Sequence, residues 1–182
     1  MSHSDYFNSE TDEDMLPVVD DDDVVVGAAK RREVHMRKLK HRAVHIVVVN
    51  GAAEILLQKR SRSKDSHPGW WDVSVGGHVD VDEEYDAAAH RELGEELGTE
   101  GVLRHVATRP PAPESGWEFV HVYECIHEGP FQPHATEIEE VRWVPADLIL
   151  SEGHSDPNLP GRRLTGSGLE SIRAWAKAVG LA

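Results

Sequence analysis

The fold of this chain is decided by residues 77–99, which read GHVDVDEEYDAAAHRELGEELGT. Residues 84–97 within this stretch have the spacing of an amphipathic helix, because an apolar residue recurs every fourth position from Ala89 to Leu97. Gly98 follows directly, and glycine is common where a helix ends. The stretch therefore predicts a helix that packs one stripe on a core and is preceded by a polar loop.

Three carboxylates are predicted to point from this helix toward one place. Glu92, Glu95 and Glu96 lie at positions i, i+3 and i+4, so they share one helical face. Like charges at this spacing cost roughly 0.2–0.5 kcal/mol per pair, and a bound cation would reverse that cost. Arg91 lies four residues before Glu95 and is placed to hold it. By themselves the glutamates fit either a solvated acidic face or a site for Mg²⁺ or Mn²⁺, hard ions that prefer carboxylates.

The whole stretch resembles the Nudix box, in which a glycine and a glutamate precede the pattern Arg-Glu-aliphatic-x-Glu-Glu-x-Gly at fixed spacing. The seven matching positions are Gly77, Glu83, Arg91, Glu92, Glu95, Glu96 and Gly98. Leu93 fits the aliphatic position, whereas Thr99 stands where a final aliphatic residue is expected. At residue frequencies of about 5–7%, chance would produce the seven matches on the order of once in a million chains of this length. The resemblance therefore favours the metal site over the solvated face.

Resemblance to the Nudix family covers roughly residues 20–150 and implies a fold and a reaction. The implied fold is of the α/β (α+β) class, an α/β/α sandwich with a mixed β-sheet between helices. The implied reaction is hydrolysis of a phosphoanhydride bond, in which Mg²⁺ or Mn²⁺ neutralises phosphate charge and activates water. The implied metal ligands are Gly77, Glu83, Glu92, Glu95 and Glu96, with Arg91 orienting a glutamate. A further catalytic carboxylate is implied on a later loop, with Glu137 as the candidate and Glu139 and Glu140 as its rivals.

A second resemblance is to one branch of the Nudix superfamily, type I isopentenyl-diphosphate isomerase. It is carried by residues 41–43 before a strand, residues 58–61 in a basic turn and residues 68–71 before the box. That isomerase uses histidine and glutamate metal ligands and an essential cysteine. The residues that fall near its metal ligands are His35, His41, His78 and Glu118. Gly76 stands where the cysteine is required, so the sequence favours a hydrolase, with isomerase activity as the alternative and a non-catalytic ligand-binding module third.

A basic loop after the strand predicted at residues 55–58 suggests a phosphate clamp. Its cations are Lys59, Arg60, Arg62 and Lys64. Substrate binding is predicted for Lys59, Arg60, Lys64, His41 and Glu118, and metal ligation is extended to His78. A solvated loop and core histidines are the structural alternatives. Trp70 and Trp117 are candidates for stacking on a substrate, whereas Trp71 is predicted to lie in the core.

The remaining sequence predicts how the chain is organised. Residues 1–16 are predicted to be a disordered acidic tail, and residues 17–182 a single domain. Apolar runs on both sides of the acidic turn 20–23 predict a hairpin. Further strands are predicted at residues 45–49, 55–58, 71–75, 102–108, 119–126 and 141–144. A C-terminal amphipathic helix is predicted at about residues 168–180.

Composition limits the possible partners. A formal net charge of −14 argues against generic nucleic-acid binding, which needs a basic surface. Cys125 is the one cysteine of the sequence, so an intrachain disulfide is impossible and a reducing compartment fits. No apolar run reaches the roughly 20 residues of a membrane span, and the N-terminus lacks an apolar signal core. We therefore expect a cytoplasmic protein that binds a small diphosphate-containing substrate, such as a nucleoside diphosphate derivative, with a homodimer left open.

Overall fold

The computed structural model describes residues 13–64, 66–152 and 163–182. Within these residues, a mixed sheet of seven strands lies between helices on its two faces. The strands are β1 (Met15–Val19), β2 (Val25–Lys30), β3 (His41–Val49), β4 (Glu54–Arg60), β5 (Trp71–Asp72), β6 (Val75–His78), β7 (Leu103–Arg109), β8 (Glu118–Ile126) and β9 (Ile138–Pro145). The helices are α1 (Arg31–Arg37), α2 (Tyr85–Leu97), α3 (Ala146–Glu152) and α4 (Gly166–Val179). This arrangement confirms the predicted α/β (α+β) class with a mixed sheet between helices.

β3 runs through the centre of the sheet and is buried on both faces. Its side chains alternate between the faces, as the pleat of a strand requires. Val44, Ile46 and Val48 pack in the core that contains α2. Val47 and Val49 pack in the core that contains α3 and α4. These two sides of the sheet are called the α2 face and the α4 face. Even-numbered residues of β3 point to the α2 face, and odd-numbered residues point to the α4 face.

The sheet is split along one edge of β3. On the other edge, β3 pairs with β8 in parallel over its full length. On the split edge, β6 pairs with residues 43–46, whereas β4 meets β3 only at the pair Val49–Ile55. β4 then continues alongside β5 and β9. Because β4 and β6 leave the same edge of β3 in different directions, a gap opens between them.

The predicted N-terminal hairpin is confirmed, but its first strand begins earlier than the predicted domain boundary. β1 and β2 pair in an antiparallel sheet of their own, and Asp20 caps the acidic turn by accepting from the N–H groups of Asp22 and Val24. Leu16 is buried with 2% exposure, so residues 15 and 16 belong to the folded domain. Residues 1–12 of the predicted tail lie outside the described residues.

Two helices depart from the sequence expectations. α1 was not predicted, because its sequence RREVHMR has no apolar stripe and buries Val34 alone. α4 begins at Gly166 rather than near residue 168, since the Thr165 side chain accepts from the Gly168 N–H and caps the first turn. None of the described helices is long and apolar enough to cross a membrane.

Candidate active site

α2 places two of the three box glutamates in the protein interior. Glu92 and Glu96 are 5% and 4% exposed, and Glu95 is half-buried. The helix ends as predicted, because Gly98 adopts a left-handed conformation with φ of 61°. A buried carboxylate is costly unless hydrogen bonds or opposite charges compensate it. The surroundings of each glutamate therefore show what the site is built to hold.

The carboxyl group of Glu92 rests against the backbone of β6. A Cβ atom at Gly77 would lie 2.0 Å from the Cδ atom of Glu92 and 2.1 Å from its Oε1. The carboxyl group thus occupies the space that any side chain at position 77 would need. Gly77 pairs with Val44 of β3, which places this contact on the α2 face. Close approach, rather than an unusual backbone conformation, requires the glycine of the box.

Arg91 ties the box loop to the helix. Its guanidinium donates to both carboxylate oxygens of Glu83, each at 2.9 Å, and to Glu92 Oε1 at 2.7 Å. It also donates to the His78 carbonyl at 2.9 Å and lies 3.3 Å from a carboxylate oxygen of Glu95. Burial opposes the charge of Arg91, but the hydrogen bond to Glu83 and the charge of Glu92 outweigh it and raise its pKa. The guanidinium therefore stays charged and fixes two glutamates at once.

The buried carboxyl group of Glu96 is held from β4 and β6. Gln58 Nε2 donates to Glu96 Oε2 at 2.8 Å, and the Gly76 N–H donates to the same oxygen at 3.3 Å. Burial raises the pKa of Glu96 to about 7, although the charge of Lys64 and the hydrogen bond from Gln58 oppose the rise. The carboxyl group therefore retains its proton close to neutral pH unless a further cation approaches.

These groups fit a hard divalent cation, and Glu92, Glu95, Glu96 and Gly77 are called the carboxylate site. The side chains offer only oxygen ligands, which Mg²⁺ and Mn²⁺ prefer. A bound cation would also stabilise the ionised form of Glu96, which burial disfavours. Among the described residues, the carboxylates are held by Arg91 and Gln58 rather than gathered around one point.

The predicted basic clamp consists of cations that are already paired with carboxylates. The pairs are Lys59–Glu139 at 2.8 Å, Arg60–Asp72 at 3.2 Å, Arg62–Glu139 at 3.5 Å and Lys64–Glu137. β4 and β9 run side by side, with Lys59 opposite Glu140 and Arg60 opposite Ile138, so the loop after β4 lies beside the residues that begin and precede β9. Sequence reasoning treated the loop and the later acidic residues separately, whereas the sheet joins them.

The structure gathers His35, His41, His78 and Glu118, which are called the histidine cluster. One ligand atom from each of the four residues lies within 4.8 Å of all the others. Glu118 Oε1 is 3.5 Å from His41 Nε2 and 3.4 Å from His78 Nε2. The three imidazole centroids are 5.2–5.4 Å apart. His41 and Glu118, which the sequence assigned to substrate binding, thus lie together with His78, which it assigned to a metal.

A cavity of about 440 Å³ lies beside both groups of residues. Gly76, Gly77 and Lys64 line it, and His35 and Glu118 line it from the histidine cluster, whereas Glu92, Glu95 and Glu96 are not among its lining residues. Arg60 also lines the cavity, whereas Lys59 is not among the lining residues. Trp71 is fully buried, as predicted. The cavity therefore has two of the four predicted clamp cations, Arg60 and Lys64, on its wall.

His45 also lines the cavity, and sequence reasoning missed it. Its Nδ1 lies 2.7 Å from Ser171 Oγ on α4, and Arg109 donates to the same hydroxyl at 2.8 Å. Burial lowers the pKa of His45, so the imidazole is neutral near pH 7. The one available signal was that His45 lies four residues after His41, on the same face of the predicted strand. Such spacing is too common in strands to identify a functional residue.

Comparison with known proteins identifies the class. Residues 39–161 match the family model described as the NUDIX domain. The chain therefore belongs to the Nudix family of hydrolases. It is 34% identical over 169 residues to an uncharacterized Nudix hydrolase of Pseudomonas aeruginosa, which covers 92% of this chain and 96% of that protein.

Solved structures agree with this assignment. The crystal structure of DR0079 from Deinococcus radiodurans superimposes with a TM-score of 0.76 and 28% identity, covering 88% of this chain and 98% of that one. The NUDIX domain of Shewanella oneidensis NrtR, solved in complex with ADP ribose, superimposes with a TM-score of 0.59 and 19% identity. That alignment covers 75% of this chain and 86% of the other, and at this identity it shows the fold alone.

Proposed function

We propose that this Nudix hydrolase cleaves a phosphoanhydride bond in a small diphosphate-containing substrate, with a divalent cation at the carboxylate site. The observation that carries the proposal is the seating of the Glu92 carboxyl group over Gly77, where a side chain would collide with it. A solvated acidic face would keep its carboxylates in water, because burial of a charge without compensation is costly. Burial of Glu92 and Glu96 supports a site for a cation instead.

Each residue of the carboxylate site has a proposed role. The proposed ligands of Mg²⁺ or Mn²⁺ are Glu92, Glu95 and Glu96, with the Gly77 carbonyl and Glu83 as further oxygen donors. When bound, such an ion neutralises phosphate charge and lowers the pKa of a water molecule. Arg91 keeps the box loop and the helix in one geometry through its hydrogen bonds to Glu83 and Glu92. This preorganisation spares the site the cost of ordering its ligands when substrate arrives.

Glu137 is proposed as the carboxylate that accepts a proton from the attacking water. Its negative charge contributes to the raised pKa of Glu96, which supports a role beside the carboxylate site. It forms an ion pair with Lys64, whose side chain lines the cavity. A positioned carboxylate beside a water molecule is an ordinary general base. Glu139, the rival candidate, is instead engaged with Lys59 and Arg62 on the protein surface.

A nucleoside diphosphate derivative is the proposed substrate class. The cavity falls in the range of about 300–1,000 Å³ that accommodates small-molecule ligands. Arg60 and Lys64 on its wall offer guanidinium and ammonium donors to phosphate oxygens. The ADP ribose bound by the structurally similar NrtR domain is a compound of this class. A cytoplasmic location is proposed as well, in keeping with the buried free thiol of Cys125.

A product assay with and without metal tests the proposal. We expect release of a nucleoside monophosphate or phosphate from a panel of nucleoside diphosphate derivatives in the presence of Mg²⁺ or Mn²⁺. Chelation with EDTA is expected to stop the reaction, and addition of excess Mg²⁺ or Mn²⁺ to restore it. Equal turnover in EDTA would refute the metal-dependent mechanism. No turnover of any panel member at any metal concentration would favour the non-catalytic binding module.

Isomerase activity is the second candidate, and the histidine cluster is the observation that favours it. Against it stands Gly76, which has no side chain to exchange a proton with a substrate. Isopentenyl diphosphate belongs in the same assay as a separate panel. Its conversion to dimethylallyl diphosphate without hydrolysis would decide for the isomerase.

The Cys125→Ala variant separates the two candidates by mutation. Cys125 is fully buried in the core on the α2 face, and burial raises the pKa of its thiol. We expect hydrolysis to be unchanged, with a loss of about 1 kcal/mol in the free energy of unfolding from the small cavity. The measurements are steady-state kinetics and urea denaturation. A folded variant with more than tenfold lower activity would contradict a reaction that needs no cysteine.

A further inference from the structure

We propose that the buried imidazole of His45 binds the substrate, donating its Nε2–H to an uncharged oxygen of the group attached to the diphosphate. Such a contact favours a polar group, such as a nucleoside, over a hydrocarbon chain. The inference deepens the proposed function and rests on the cavity being the substrate site. It is argued from a proton position, from an opening at Gly76 and from the charges around the ring.

A buried serine accounts for one nitrogen of the His45 ring. Ser171 on α4 is 0% exposed, and its Oγ lies 2.7 Å from His45 Nδ1. Arg109, at the end of β7, donates to the same hydroxyl oxygen at 2.8 Å. A guanidinium cannot accept a hydrogen bond, so the hydroxyl proton does not point back to Arg109. The acceptor left for that proton, among the described residues, is His45 Nδ1.

The backbone of α4 is the other place where a helical serine commonly donates. The usual acceptor is the carbonyl four residues earlier, which here belongs to Ser167. Arg109 donates to this carbonyl at 2.9 Å. Within the described part of the chain, the Ser171 hydroxyl has hydrogen bonds to Arg109 and His45 alone. A buried hydroxyl proton without an acceptor is costly, so the bond to His45 Nδ1 is the favoured one.

The proton of the neutral His45 ring therefore lies on Nε2. Burial lowers the pKa of His45, so near pH 7 the ring carries a single N–H. Because Nδ1 accepts from Ser171, that N–H is at Nε2. Nε2 has no hydrogen-bond partner among the residues that the structure describes, although His45 is only 8% exposed. Since His45 lines the cavity, an acceptor for this donor comes from the cavity rather than from the fold.

Gly76 leaves the donor edge of the ring open. Residues 45 and 76 are paired across β3 and β6, and both line the cavity. A Cβ atom at position 76 would lie 3.2 Å from His45 Cδ2 and 3.3 Å from His45 Nε2. These distances are shorter than the roughly 3.5–4.0 Å at which carbon atoms attract best, so a side chain there would crowd the Nε2–H. The position that lacks the cysteine of the isomerase thus keeps this donor accessible.

The charges around the ring favour an uncharged acceptor. After burial, which lowers the pKa of His45, the charges that act on it are those of the carboxylates Asp72 and Glu118 and of the guanidinium groups Arg109 and Arg60. Arg60 also forms an ion pair with Asp72 at 3.2 Å. Charges of both signs therefore surround the ring, without the positive excess that suits a phosphate group. A hydroxyl or carbonyl oxygen accepts from a neutral N–H without needing one.

The same donor disfavours a hydrocarbon chain. α4 adds Thr165 and Ser167 to the lining of the cavity, so this wall is polar beyond His45. An isoprenoid chain bound here would remove water from the Nε2–H without replacing its hydrogen bond. A site that donates to a substrate hydroxyl or carbonyl discriminates strongly against an analogue that lacks it. Ser171 and Arg109 act in this scheme as positioning residues, because they fix which nitrogen of His45 carries the proton.

Binding of non-hydrolysable analogues to matched variants tests the inference. The probes are the α,β-methylene analogues of ADP and UDP, in which CH₂ replaces the bridging oxygen, and methylene diphosphonate, which lacks the nucleoside. His45→Leu removes the donor, whereas His45→Gln keeps an N–H donor. Ser171→Ala removes the positioning hydroxyl, and Ser151→Ala, at an exposed position of α3, is its control. Affinities are measured by calorimetry with Mg²⁺, and the His45 nitrogens are followed by ¹⁵N NMR.

We expect the wild-type spectrum to show the His45 proton on Nε2, with a resonance that shifts on addition of a nucleoside analogue but not of methylene diphosphonate. His45→Leu should bind a nucleoside analogue roughly 3–10-fold more weakly, as loss of one uncharged hydrogen bond implies, and methylene diphosphonate equally well. His45→Gln and Ser151→Ala should bind like the wild type. Ser171→Ala should weaken binding of the nucleoside analogue in the wild type and have no further effect in His45→Leu, because it acts through the ring.

Several results would overturn the inference. One is a proton on Nδ1 in the wild type, and another is no binding of either nucleoside analogue or equal binding by wild type and His45→Leu. An equal loss for methylene diphosphonate would also do so, because the acceptor would then be a phosphate oxygen. Should thermal unfolding show that His45→Leu does not fold, wild-type affinity in Ser171→Ala would overturn the inference in its place. None of these readouts requires turnover, so failure here and failure of the proposed hydrolysis are distinguishable.

Discussion

Replacing Glu96 by glutamine is expected to abolish turnover while leaving the fold intact. The substitution keeps the shape of the side chain, and the amide oxygen can still accept from Gln58 and Gly76. It removes the negative charge that a metal ligand needs. We expect kcat to fall by more than the roughly 10–100-fold that loss of an outer-shell contact to a metal costs. Steady-state kinetics at saturating Mg²⁺ measure the effect, and near wild-type activity would refute the metal-site assignment.

Thermal unfolding distinguishes a lost ligand from a damaged fold. Burial raises the pKa of Glu96 to about 7, so in the metal-free folded protein the ionised form is disfavoured. The unfolded chain releases this proton at lower pH, and the wild-type protein therefore loses stability as the pH rises toward 7. Glu96→Gln removes this dependence, so metal-free Tm at pH 8 should not fall below that of the wild type. The exposed Glu100→Gln provides the control, with unchanged kcat and Tm.

The chemistry-bearing helix was predictable because its signals are local. The spacing that predicted a helix over residues 84–97 and an end at Gly98 corresponds to α2. The β-branched run of residues 45–49 in β3 and the hairpin at the N-terminus were likewise visible in neighbouring residues. Local sequence patterns failed to predict elements that are stabilised mainly by contacts with distant parts of the chain. α1 has one buried residue, so its sequence resembles a polar loop.

The arrangement of the site was beyond sequence reasoning because strand register determines it. His41 and Glu118 are far apart in sequence, yet they are paired across β3 and β8. Lys64 and Glu137 are joined because β4 runs beside β9. A shift of one residue in either pairing would send these side chains to opposite faces of the sheet. Resemblance could place the histidines near a metal, but only the register shows that they converge.

Replacing Gly77 by alanine is expected to lower both stability and activity. The added Cβ would lie 2.0 Å from the Cδ atom of Glu92, so the carboxyl group must leave its place. Its hydrogen bond from Arg91, at 2.7 Å, would be lost or bent. We expect a loss of about 1–3 kcal/mol in the free energy of unfolding, typical of overpacking. We also expect kcat to fall by roughly 10²-fold or more, as for misplacement by about 1 Å.

Gly94→Ala is the matched control for this change, because it adds the same methyl group seventeen residues later in the same box. At Gly94 the nearest atom to the added Cβ would be the Thr99 carbonyl oxygen at 4.0 Å, which is an ordinary contact. Alanine is favoured over glycine inside a helix by about 1 kcal/mol, so this variant should be slightly more stable and fully active. The two substitutions should therefore differ in the sign of their effect on Tm. Equal activity in both variants would contradict this prediction. It would show that catalysis tolerates displacement of the Glu92 carboxyl group from its place over Gly77.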